Sequence, residues 1–244
     1  MITLENVSKS FDIPVLRGVN LLVPPGCLYG LIGPAASGKT VLLKIISGLL
    51  FPDSGRVNVL GRDVAQLDEV GLYELRKRIG MQFQNNALFD YMTVGENIAF
   101  PLRRLTSLSD AEIGDRVTER LERVRLPGFA DRLPTGLSGG QKRRVGVARA
   151  TVTGARLVIY DEPAAGLDPV TSQKIFDLLR EEQRASRATV IMVSSDLERL
   201  LPVTDRIGMM YRGRIIFDGT TAEAMASRNQ YVRQFVNGLP DGPI

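Results

Sequence analysis

The chain of 244 residues contains no histidine and a single cysteine, Cys27. One cysteine excludes an internal disulfide and any cysteine-based zinc site. Without imidazole as well, metal chemistry falls to oxygen ligands, which favours Mg²⁺ over Zn²⁺. Cys27 follows Pro24, Pro25 and Gly26 ahead of an apolar run, the setting of a buried structural thiol. No apolar run is long enough to span a bilayer, since residues 42–51 are interrupted by Lys44 and Gly48. No segment reads as a secretory signal, so the expectation is a cytosolic chain unless something else holds it at a membrane. Internal repeats, low-complexity tracts and long heptad segments are missing too. The excess of positive charge is small, +4. It suits an anionic ligand, a membrane-proximal position or simply a solvated basic surface, and is too weak to point to nucleic acid. With 44% hydrophobic and 24% charged residues, disorder is not indicated and the length suffices for a full core.

What is present begins at residues 33–40, which read GPAASGKT and match G-x-x-x-x-G-K-[ST]. Residues 28–32 (LYGLI) read as a buried strand feeding this loop. Residues 39–50 carry Val41, Leu42, Ile45, Ile46 and Leu49 at helical spacing, stopped by the turn at Pro52, Asp53, Ser54 and Gly55. Strand, glycine-rich loop, helix is the context of a phosphate cradle. Gly33, Pro34, Ala35, Ala36, Ser37 and Gly38 curl the backbone around phosphate oxygens. Lys39, Thr40 and Val41 open the helix, whose N-terminus adds partial positive charge. Lys39 reaches β- and γ-phosphates and Thr40 is a Mg²⁺ ligand. The plainer alternative is a glycine-rich turn capping a helix.

Residues 157–163 (LVIYDEP) end a buried strand in two carboxylates. Asp161 is placed to hold Mg²⁺ through water, and Glu162 to polarise an attacking water as general base. Alone the pair is a surface turn. Behind a phosphate loop in the same sheet it gains weight, since ligands sit at the carboxyl ends of parallel strands. Ser138, Gly139, Gly140 and Gln141 open another helix, with Ser138 as a candidate N-cap. Bare glycine N–H groups at a helix N-terminus also make an anion site. Two phosphate sites far apart in one sequence make sense if ATP is sandwiched between copies of the chain.

Strands are also expected at residues 2–7, 19–23, 56–63, 79–84 and 189–193, with a hairpin over 206–218 turning at Arg212 and Gly213. Helices are expected over 73–78, through most of 96–150, and over 168–183, with two short ones after the hairpin. Within 96–150, Ser109 to Glu112 has capping-box spacing, backed by the stripe Ile113, Val117, Leu121 and Val124. Strands alternating with helices imply a parallel sheet covered on both faces.

GPAASGKT together with LSGGQ (137–141) resembles the ATP-binding-cassette (ABC) ATPases over essentially the whole chain. The resemblance implies an α/β fold: a P-loop NTPase (RecA-like) core with an antiparallel β subdomain and a helical subdomain insertion. It implies one ABC ATPase domain over 1–244, with residues 85–150 as its helical signature subdomain. It implies ATP and Mg²⁺ as cofactors and a homodimer. Phe11 matches the aromatic that stacks on adenine, or is a core Phe at a strand end. Gln84 matches the loop glutamine that senses Mg²⁺ and the water and links the helical lobe to a membrane partner, or is a polar loop residue. Asp168 matches the loop contacting the opposite subunit, and N-caps a helix before Pro169 as well. The family usually has histidine where Ser195 stands, contacting the γ-phosphate. A serine donates one shorter, never cationic hydrogen bond, a loss of roughly 1.5–3 kcal/mol. The readings are a working but slow ATPase or a clamp that binds without useful turnover.

Residues 38–57, 85–103 (NNALFDYMTVGENIAFPLR) and 232–244 (VRQFVNGLPDGPI) look like the ATPases of the Mla/Mce lipid transporters. This resemblance implies phospholipid movement between membranes of a cell envelope, and two copies of the chain under two copies of a multispanning permease. It also implies a periplasmic Mce-domain lipid-binding protein, in some systems a small STAS-domain protein, no nucleic acid, and a peripheral place on the cytoplasmic face of the inner membrane. A cassette for another solute is the alternative. Residues 87–94 lie near the permease's cytoplasmic helix or pack within the helical lobe. Tyr231, Val232 and Phe235 in the tail dock on a partner, on a second copy, or on the chain's own core.

Overall fold

The computed structural model describes residues 1–244. Its strands are β1 (Ile2–Ser10), β2 (Pro14–Val23), β3 (Leu28–Ile32), β4 (Ser54–Val59), β5 (Arg62–Asp63), β6 (Ile79–Gln82), β7 (Leu157–Asp161), β8 (Thr189–Val193), β9 (Arg206–Tyr211) and β10 (Arg214–Thr220). Its helices are α1 (Lys39–Ile46), α2 (Glu69–Arg76), α3 (Val94–Leu105), α4 (Asp110–Arg123), α5 (Gly139–Thr151), α6 (Pro169–Ser186), α7 (Leu197–Val203), α8 (Thr221–Met225) and α9 (Gln230–Asn237).

Every residue of β3, β7 and β8 is buried, as strands covered on both faces require. They form the middle of a six-stranded sheet in the order β10-β9-β3-β8-β7-β6, parallel except for the antiparallel edge strand β10. A second sheet, β2-β1-β4-β5, is wholly antiparallel. Alternation along the strands divides the core in two. Leu157, Ile159, Ile191 and Val193 face α1, α2 and the antiparallel sheet. Val158, Tyr160, Val190 and Met192 face the layer of α3 to α6.

The register sets the working edge. Leu31 and Asp161 both lie opposite Val193, and Gln82 lies opposite Tyr160. The carboxyl ends of β3, β8, β7 and β6 therefore open onto one edge of the sheet.

Several elements differ from the sequence reading for identifiable reasons. α1 ends at Ile46, short of residue 50, because Gly48 takes φ +69 and the N–H groups of Leu49 and Leu50 turn back to the Lys44 carbonyl. The strand expected over 56–63 is a hairpin, broken by left-handed Leu60 and Gly61. α7 is an additional short helix. Ser109 and Glu112 do form a reciprocal capping box on α4. Cys27 is buried, and burial, aided by Asp205, pushes its thiol up to about 11. In the tail, Val232 is fully buried and Tyr231 packs 4.8 Å from Tyr211, so α9 docks on its own chain.

Candidate functional site

β3 delivers the chain to Gly33 with φ +141, where a Cβ would lie 2.1 Å from the Met210 carbonyl oxygen. Gly38 has φ +104, and a Cβ there would meet Leu16 Cδ2 at 2.8 Å. No other residue fits either place, so the loop is built by backbone rather than side chains. Ala36 is left-handed as well, and Ala35 and Ala36 are exposed, whereas Ser37 is buried. The loop wraps its own lysine: Lys39 Nζ donates to the carbonyls of Gly33 at 2.7 Å and Pro34 at 2.8 Å, and to Ser37 Oγ at 3.4 Å. Burial lowers the Lys39 pKa, while Glu162 and Asp161 pull it up. α1 follows Gly38 at its N-cap position, with no side-chain cap and no acid in its first turn. Its first N–H groups, including those of Lys39, Thr40 and Val41, thus offer an anion site.

Two strands away, Asp161 ends β7 in a buried position. Burial and then Glu162 raise its pKa, against the pull of Lys39. Glu162 takes φ +50, a strained conformation for a glutamate, held by its N–H donating to the Val193 carbonyl at 2.9 Å. Ser195, just past β8, donates to Glu162 Oε2 from both its N–H and its hydroxyl, each at 3.1 Å. Lys39, Asp161, Glu162 and Ser195 therefore converge. Gln84 follows β6 on the same edge and is exposed. Phe11 lies in the β1–β2 turn, 58% exposed, with Lys9 Nζ 5.6 Å from its ring centre. It is not a core residue. Val15 and Leu16 of the same hairpin close over Gly38.

The segment from Ser138 to Gln141 stands elsewhere. Ser138 and Gln141 form a reciprocal capping box on α5, with bonds of 3.3 and 2.9 Å. A Cβ on Gly140 would lie 2.6 Å from Thr171 Cγ2, so α5 starts against the first turn of α6. Asp168 caps that turn, accepting from the N–H groups of Val170 at 3.0 Å and Thr171 at 2.9 Å. Hydrogen bonding from the Thr171 side chain, and then from the backbone of Thr171 and Val170, holds its carboxyl below the usual range. Gly139 approaches Leu167 as well, so the Ser138 and Asp168 segments are neighbours. No hydrogen bond ties either to the phosphate loop.

One residue escaped the sequence reading. Arg143, buried in α5, donates to the Gln84 carbonyl, to Asn86 Oδ1 at 3.0 Å and to the Ala165 carbonyl at 2.8 Å. The available signal was helix phase: Gly140, Arg143, Val147 and Ala150 form one buried stripe.

Residues 16–165 match the family described as ABC transporter. The chain belongs to that family. It is the ATP-hydrolysing subunit of an ABC transporter, and it binds ATP. This ABC ATPase is 39% identical over 240 residues to a methionine import ATP-binding protein, MetN, of Caulobacter vibrioides, covering 97% of this chain and 72% of the relative. It is 37% identical over 245 residues to the intermembrane phospholipid transport system ATP-binding protein MlaF of Haemophilus influenzae, covering 100% of this chain and 93% of the relative. Among solved structures, a dimeric ATP-binding cassette in a post-hydrolysis state with ADP and Pi bound superimposes with a TM-score of 0.84. It is 31% identical, and the overlap spans 91% of this chain and 99% of that one. The fold is the P-loop ABC ATPase fold expected from the sequence.

Proposed function

We propose that this ABC ATPase powers the movement of phospholipid between membranes of a cell envelope. The observation that carries the lipid assignment is the likeness to the phospholipid transport ATPase along the whole chain and 93% of that relative. The methionine import relative, at 39% identity, favours a second reading, an amino-acid importer.

In this reading one copy's loop at 33–40 grips the nucleotide, with Lys39 on the β- and γ-phosphates and Phe11 stacked on adenine. Ser138, Gly139, Gly140 and Gln141 of a second copy close the other side, and Asp168 lines the contact between copies. Dimeric relatives support the pairing. The site suits a Mg²⁺ ion in its donor set: the Thr40 hydroxyl, the Gln84 amide and the Asp161 carboxylate are all oxygen donors. No cluster of three or more Asp, Glu, His or Cys forms an all-protein cage, so a bound Mg²⁺ would draw its remaining ligands from phosphate and water oxygens. When bound, Mg²⁺ neutralises charge on the phosphates. Asp161, whose charged form is disfavoured by burial and by Glu162, gains a cation to face. Glu162 accepts the proton of the attacking water, oriented by the two donors of Ser195.

The membrane partner is a multispanning permease on the far side of the Gln84 loop. A groove of about 310 Å³, lined by Phe83, Ala87, Phe89, Phe100, Pro101 and Arg149 among others, offers an apolar seat for a permease's cytoplasmic helix. Phe89 packs 5.0 Å from Phe100 and Tyr91 is 77% exposed beside it, while Val94 is fully buried. Residues 87–94 thus pack internally at one end and present an apolar surface at the other. No helix is long and apolar enough to cross a membrane. Attachment through the groove fits a peripheral position, proposed as the cytoplasmic face of the inner membrane. A periplasmic Mce-domain lipid-binding protein, and in some systems a STAS-domain protein, complete the assembly.

Affinity purification from solubilised membranes, with mass spectrometry of protein and lipid, tests this reading. The expected set is a permease, an Mce-domain protein and phospholipid. Recovery of an amino-acid-binding protein instead would replace it with the importer reading.

A further inference from the structure

α5 carries three arginines whose acceptors include no carboxylate, and two of them, Arg143 and Arg149, reach the loop after β6. Arg143 is 7% exposed and spends its guanidinium on the carbonyls of Gln84 and Ala165 and on Asn86 Oδ1. Arg149 donates to the Ala87 carbonyl at 2.7 Å and to the Asn86 carbonyl, and also lines the apolar groove. Asn86 and Ala87 between these bonds have φ +59 and +48, a path that the two side chains hold in place. A buried guanidinium without a hydrogen-bonded carboxylate is costly, and an apolar residue would fill the same helix stripe for less. What arginine adds is a rigid fork that bonds two chain segments at once. One segment is the loop from Gln84 to the groove. The other is the stretch from Glu162 to Asp168, which contains Ala165. Glu162 itself lies close enough to act on the Arg143 charge.

We infer that Arg143 is a positioning residue for ATP hydrolysis, fastening the Gln84 loop and the Glu162–Asp168 stretch to α5 so that groove and catalytic edge move together. The inference rests on the reading of Gln84 and Glu162 given above. Ser138 caps the start of α5, so a nucleotide gripped there pulls on both segments through one helix. Arg149 extends the fastening to the groove wall.

Steady-state Mg-ATP hydrolysis by the chain with its co-purified membrane partner tests this. The variants are Arg143→Met, Arg143→Lys, Asn86→Ala and the Arg143→Met/Asn86→Ala pair, with ATP affinity and melting temperature recorded for each. Arg143→Met is expected to lower kcat about tenfold while ATP affinity changes less than about twofold. Arg143→Lys, which keeps the charge but bonds one segment only, recovers part of kcat and stays about threefold below the parent. The double variant is less than additive, because Asn86 and Arg143 share one bond. Hydrogen exchange adds a readout that packing alone would not move. In the parent, segments 84–88 and 163–167 gain protection together on ATP binding; in Arg143→Lys the first no longer follows the second. Unchanged kcat in Arg143→Met, or kcat, affinity and melting temperature falling in parallel, overturns the inference. If Arg143→Met does not fold, unchanged kcat and coupled protection in Arg143→Lys overturn it equally. Glu162→Gln is the control that separates the two levels: if it hydrolyses like the parent, the site reading itself fails. If it is dead while Arg143→Met keeps the parent's kcat, only this inference fails.

Discussion

Asp161 stands where folding and function conflict. Its carboxylate is buried at the end of β7, next to Glu162, and its pKa is raised. A raised pKa means the folded chain prefers the protonated form, so ionisation costs stability as pH rises through the carboxylate range. Asp161→Asn removes that cost. In the absence of nucleotide the variant is expected to melt above the parent at about pH 8 and level with it at about pH 4, by calorimetry at the two values. Its Mg-ATP turnover is expected to fall roughly a hundredfold, since the carboxylate proposed to face the metal is lost. A lower melting temperature at the higher pH would show that Lys39 compensates the charge fully. Glu162 shows the same tension in its backbone, held at φ +50 by Val193 while Ser195 directs its carboxylate.

At the scale of elements, α5 is the part with least room. A Cβ on Gly80 of β6 would lie 1.9 Å from the Ala150 carbonyl oxygen, a backbone atom that cannot rotate away. Gly80→Ala is therefore expected to lift the end of α5 off the sheet and cost about 2 kcal/mol, read as a lower urea midpoint with an unchanged slope. A midpoint equal to the parent's would mean that α5 moves freely on β6, against the rigid linkage argued for it. Legibility also varies by element. β3 and β8 stand out in the sequence as short apolar runs bounded by turn residues, because both faces are buried. α4 is visible through its capping box and stripe. α7 is not, because seven residues ending near Pro202 give too few turns for a period to register. The β4–β5 hairpin is hidden because left-handed Leu60 carries no turn signature of its own.

At the scale of the molecule, the candidate site is legible in pieces and assembled by topology. Residues 33–40 and 161–162 are contiguous motifs, so each is readable alone. Their meeting depends on Leu31 and Asp161 both standing opposite Val193, which an alternating pattern of strands and helices implies only in outline. Ser195 bonding Glu162, and Arg143 bridging Gln84 to Ala165, link residues far apart in sequence and leave no local trace. The absence of histidine is plain from the sequence, whereas its consequence depends on what Ser195 touches. With two donors on Glu162 Oε2, Ser195 keeps the proposed base oriented without adding a positive charge. The most direct measurement is steady-state Mg-ATP hydrolysis by the complex of this chain and its membrane partner, beside Glu162→Gln. Turnover in the parent that is lost in Glu162→Gln, with ATP binding retained in both, is the predicted result and would show that a serine-directed glutamate suffices. Turnover in neither, despite ATP binding, would contradict the account and leave an ATP-gated clamp.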